Sequence, residues 1–171
     1  MLRKILAAAV TVALLLGAGA LAETATYTDR DKDFSFDYDT DQFEITLEDY
    51  ADTSEDADLV LILSAKNPDW GAVDLQFLRL QEDVFSPEAR TELEKALGLT
   101  LEQGSLNDIN DVFMYTYEED GMAEQAYIIQ YKEKETLTID VMAERLDDEE
   151  TARLRDEGID AVLKSVKLLD D

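Results

Sequence analysis

The chain of 171 residues carries 15 Lys and Arg against 41 Asp and Glu, for a net charge of −26, with no cysteine and no histidine. Missing histidine removes Ser-His-Asp and Cys-His nucleophile systems, His-ligated zinc and the usual near-neutral acid–base group. Missing cysteine means no disulfide supports the fold, and the strongly negative field opposes nucleic acid and anionic membrane surfaces.

The chain opens MLRKILAAAVTVALLLGAGALAE. Arg3 and Lys4 are followed by an apolar core, and Ala20-Leu21-Ala22 has the small-x-small pattern of a signal peptidase site. This predicts a secretory leader over 1–22, cut between Ala22 and Glu23. Export then follows, to the periplasm, the cell envelope or the exterior. Residues 23–171 are expected as one domain without a membrane span. Loss of Arg3 and Lys4 takes the net charge from −26 to −28.

Ala25 to Thr28 reads as a short strand and Asp29 to Asp33 as a charged turn. Phe34, Phe36 and Tyr38 alternate with polar residues, as do Phe43, Ile45 and Leu47, and period two predicts half-buried strands. Tyr50 to Asp58 reads as an acidic loop. Leu59 to Leu63 is continuously apolar and suits a strand buried on both faces. Asn67 to Gly71 is turn chemistry, and Val73, Leu75 and Phe77 begin another strand. Ser86, Pro87 and Gly98 are the cap, first-turn and stop signals of a helix with Ala89, Leu93, Ala96 and Leu97 on one face.

Residues 99–111 are ambiguous between a short strand and a loop. Three strands follow, Val112 to Tyr117, Met122 to Tyr131 and Thr136 to Ala143, the first two joined by a Glu119-Asp120-Gly121 turn. A last helix is expected after an Asp147/Glu150 capping box, with Leu154, Ile159, Val162 and Val166 as its apolar stripe and Gly158 at a close approach or kink. The whole predicts an α+β fold: a largely antiparallel sheet flanked by two helices.

Phe34-Ser35-Phe36-Asp37-Tyr38 leading to Phe43, the meander from Val112 to Ala143 and the closing Ile159 to Lys167 resemble motifs of the PsbP-like α/β/α sandwich superfamily. Asp39 stands where that family has Pro, and Phe43 where it has Trp. The resemblance implies the sandwich architecture and a non-catalytic binding or accessory role, and it transfers no site residue.

Candidate sites are few. Asp29, Asp31 and Asp33 have the alternate spacing of calcium ligands, but an EF-hand frame from Asp29 puts Phe34 where Gly is required, and one from Asp37 puts Gln42 there. What remains is a calcium site of another kind, set against a hydrated turn with Arg30 and Lys32 as partial counter-charges. Trp70 is a partner anchor if exposed and a lid on the core if buried. Tyr115 and Tyr117, with Tyr127 and Tyr131 on the same hairpin, are candidates for a tyrosine binding face. With 41 carboxylates, a catalytic pair for glycoside-type hydrolysis cannot be singled out. The expected function is therefore an exported, monomeric, non-catalytic module without a cofactor, for an unidentified protein or small ligand. A calcium-dependent surface protein is the alternative, and a carboxylate-dependent hydrolase the second.

Overall fold

A computed structural model describes residues 23–48, 57–80, 84–132 and 135–169. Residues 1–22, expected as the leader ending at Ala22, and 49–56 lie outside the described residues; of the expected acidic loop, Ala57 and Asp58 belong instead to a strand. Ten strands and two α-helices follow in the order β1 (Thr24–Thr28), β2 (Phe34–Asp39), β3 (Phe43–Glu48), β4 (Ala57–Ala65), β5 (Val73–Leu80), α1 (Pro87–Leu97), β6 (Glu102–Leu106), β7 (Ile109–Glu119), β8 (Met122–Lys132), β9 (Glu135–Glu144), α2 (Glu149–Ser165) and β10 (Lys167–Leu168). The main sheet has the order β3-β4-β5-β9-β8-β7-β6, a smaller one the order β1-β2-β10. Every pairing is antiparallel. The α+β class read from the sequence is the class found.

Alternation sets the layers. On the main sheet Leu61, Leu63, Leu75, Phe77, Leu137, Ile139, Val112 and Ile129 point to one face and are fully buried. The small sheet and α2 close that face: Phe34 and Phe36 stack on Phe77 with ring centres 5.6 and 4.6 Å apart, and Ile159, Val162 and Leu163 join the same core. The opposite face is thinner. There α1 and its flanks cover Phe113 and Ile128 with Val84 and Leu101, in a second apolar cluster. Helix, sheet and helix thus form a sandwich.

Several local expectations change in context. Leu59 to Leu63 is buried mainly on one side, with Ile62 only half-buried and a bulge between Leu59 and Leu61. The α2 cap is Asp148, not Asp147: its carboxylate accepts from the Thr151 amide at 2.8 Å and hydroxyl at 2.6 Å. Leu154 faces solvent while Arg155 is buried, because the contact stripe of α2 runs through Arg155, Gly158, Ile159 and Val162. In α1, Ala96 and Leu97 are exposed and only Ala89 and Leu93 turn inward. Residues 102–106 resolve the ambiguous segment as a strand. Lys167 lies beyond the end of α2, in β10, where it pairs with Ser35.

Candidate functional site

The acidic turn is engaged internally. The Asp29 carboxylate accepts from the amides of Asp31 and Asp33, closing a compact loop between β1 and β2. One oxygen from each of Asp29, Asp31 and Asp33 lies within 4.8 Å of the others, a spacing compatible with a cation. A protein cation already stands among them. Arg79 from β5 reaches Asp29 at 2.8 Å, Asp31 at 2.9 Å and Asp33 at 3.3 Å, and Lys132 from β8 reaches the other Asp33 oxygen at 2.8 Å. The counter-charges are thus distant in sequence. A calcium ion here would have to displace a planar guanidinium fork from carboxylates of which two are buried.

Trp70 is only 5% exposed, which corrects its candidacy as a partner anchor. Pro68–Trp70 is a short 3-10 turn capped by Asn67, whose side chain accepts from the Asp69 amide. That turn folds the indole inward beneath α2, 5.7 Å from the Phe43 ring centre. Gly158 is the reason it fits. A Cβ there would lie 3.0 Å from the indole and 2.8 Å from the Gln42 side-chain oxygen, so the close-approach reading of this glycine holds.

The tyrosines do not form one face. Tyr127 is buried on the α2 side, and Tyr131, half-buried, donates to Glu135 at 2.7 Å. Tyr115 and Tyr117 lie on the opposite side of the sheet, across from Ala126 and Glu124. Tyr115 is half-buried and donates to Glu124 at 2.6 Å. Burial, then that bond, push its phenol well above the usual range. Tyr117 is exposed, its phenol raised by hydrogen bonding to Glu119.

Tyr117 opens the surface that the geometry singles out, the tip of the β7–β8 hairpin. Asp120 and Gly121 both have positive φ, 51° and 83°, the conformation a two-residue hairpin turn requires. The resulting register sets Glu119 opposite Met122 and Tyr117 opposite Glu124, so these four side chains share one side. Tyr117 and Met122 are two of the exposed large apolar residues. On the other side of the hairpin a groove of about 520 Å³ runs between it and α2, over Thr116, Ala123, Gln125, Val141, Ala143 and Ile159. A second groove adjoins it around the turn, and Glu118, Ala123 and Arg155 line both. The Arg155 guanidinium is held by Asp156 and the Glu144 carbonyl. The backbone amide of Arg145 donates to the Gly121 carbonyl at 2.8 Å and fixes the turn against the end of β9.

No protein-family model matches the sequence, and no curated protein does. A crystal structure from Bacteroides thetaiotaomicron VPI-5482 aligns with a TM-score of 0.52 at 8% identity, over 85% of this chain and 48% of that one. The chain thus spans about half the length of that structure, and the likeness is one of fold alone.

Chemically, the hairpin tip offers apolar contact area among charges. Its apolar groups are Tyr117, Met122, Ala123 and Ile159; its exposed acids are Glu118, Glu119, Asp120, Glu144, Asp156 and Asp160, with Arg145 as an exposed base. Lys164 pairs with Asp160 at 3.0 Å, and Arg155 with Asp156 at the same distance. Glu124 borders the groove, whereas Asp140, its half-buried diagonal neighbour in register, lines none of the grooves around α2. Sequence reasoning had Tyr117 but missed Met122 and Arg155. The signal for Met122 was present, because a two-residue Asp-Gly turn puts positions 117 and 122 on one side. Arg155 carried no signal, since a charged residue in a helix is ordinarily solvated.

Proposed function

We propose that this chain is an exported, single-domain binding module that acts without catalysis, built as a PsbP-like sandwich, and that it receives a cationic segment of a partner protein at the β7–β8 tip. The observation that carries this reading is the pairing of exposed Tyr117 and Met122 on one side of the tip, with a groove of acidic rim on the other that Tyr117 also borders. Exposed aromatic and methionine side chains supply contact area, and surrounding carboxylates select the sign of the partner. A net charge of −26 draws basic ligands from a distance. Among the described residues no helix is long and apolar enough to cross a membrane. Export rests on the leader pattern. Consistent with a cut after Ala22, Glu23 is tied into the fold through its carbonyl, which accepts from the Thr40 amide at 2.9 Å and hydroxyl at 2.8 Å.

The test is calorimetric titration with a short synthetic peptide of alternating Lys and Leu, and with its Glu–Leu counterpart. The Lys peptide should bind and weaken with salt, and the Glu peptide should not bind. Replacing Tyr117 and Met122 together by Ala should weaken binding at least ~10-fold. Replacing Glu88 and Glu92 on α1 by Gln should leave it unchanged. Equal affinity of the tip variant and the unaltered protein would reject this surface.

A further inference from the structure

The face of the main sheet turned away from α2 carries a polar row in an apolar setting. Gln76, Asp140, Ala126 and Tyr115 lie side by side across β5, β9, β8 and β7. In the next row on the same face, Thr138 adjoins Ile128, which adjoins Phe113. Thr138 is 8% exposed. Its hydroxyl, and the Oδ1 of Asp140, are inaccessible to solvent and have no hydrogen-bond partner in the structure. Buried polar atoms are nearly always paired, and each exception calls for a physical account.

A second carboxylate makes the setting harsher. Glu124 flanks Ala126 on β8 and is the diagonal neighbour of Asp140 across the strand pair. Glu124 already accepts from Tyr115. From β5, Asp74 faces the same side and accepts from Ser64 at 2.6 Å. From the helix layer, Arg90 is spent elsewhere: it lies 4.7 Å over the Phe113 ring and bonds Glu94 and the Leu101 carbonyl. Among the described residues, then, no cation is bonded to Asp140.

We infer that Asp140 is a proton-binding site built into the sheet, a carboxyl that holds its proton in mild acid and releases it near neutrality, weakening the fold as it does. The protonated acid is neutral, so protonation relieves both the burial of charge and the repulsion from Glu124. Burial first, and Glu124 second, push the Asp140 pKa up to about 6. An unfolded Asp ionises near ~4. Between these values the folded chain holds more protons than the unfolded one, so stability falls as pH rises. The stabilisation is fully present below the unfolded value and is lost as pH climbs through the folded one. The proton thus makes the protein firmest in mildly acid surroundings.

Two measurements on the protein decide this. The carboxyl-carbon NMR resonance of Asp140 should titrate with a midpoint near 6. Urea unfolding between pH 4 and pH 8 should show the folded-to-unfolded ratio falling roughly 100-fold more in the unaltered protein than in Asp140→Asn, whose amide cannot ionise. The comparison removes the background of general acid repulsion, which both proteins share. A midpoint in the ordinary aspartate range, or identical pH slopes, would overturn the inference and leave an ordered water as the partner of these atoms. If the variant does not fold, the midpoint in the unaltered protein decides alone.

Discussion

At the scale of single residues, Gly158 shows two physical terms in opposition. Alanine is favoured over glycine within a helix by about 1 kcal/mol, which argues for a stabilising Gly158→Ala change. Yet the new methyl would meet the Trp70 ring at 3.0 Å and the Gln42 oxygen at 2.8 Å, and the indole is packed against Phe43, with ring centres 5.7 Å apart. Overpacking of this kind costs ~1–3 kcal/mol, so the net effect expected is a loss of stability, read as a lowered urea midpoint. A raised midpoint would mean that the indole can tilt. The sequence left Gly158 between close approach and kink, and Trp70 between anchor and lid. Each answer lay in the other residue, 88 positions away along the chain.

At the scale of elements, the β1–β2 turn is tied to β5 and β8 by Arg79 and Lys132. Asp29 and Asp33 are 3% and 7% exposed, so their charges depend on those partners. Arg79→Met should cost ~3–5 kcal/mol in urea unfolding, because it strands buried carboxylates. Calcium in millimolar amounts should leave the thermal midpoint of the unaltered protein where a sodium salt of equal ionic strength leaves it. A calcium-specific rise would instead show that the ion competes with the guanidinium for the triad. The sequence made the turn and its spacing plain. It suggested the adjacent Arg30 and Lys32 as counter-charges and gave no sign of Arg79 and Lys132, which sheet register brings to the turn, with Arg79 opposite Leu137.

At the scale of the whole molecule, the proposed cut falls directly before the first described residue, Glu23. Thr40 holds the Glu23 carbonyl, and β1 begins at Thr24. If the chain is exported and cut as proposed, its intact mass should correspond to a chain starting at Glu23; a mass retaining 1–22 would mean an uncleaved anchor. The class of fold, most strand positions and the first helix's capping signals were legible in the sequence, since caps, turns and period-two alternation act over a few residues. Composition likewise settled which nucleophile systems the chain lacks. What needed the tertiary structure was every property set by contacts between distant segments. These are the joining of β5 to β9, the small third strand β10, the inward Trp70, the buried Arg155 and the unpartnered Asp140. Register brings such groups together, and register follows from how all the faces are buried at once. The same reason places the proposed binding surface at a hairpin tip whose turn was readable, beside a groove that was not.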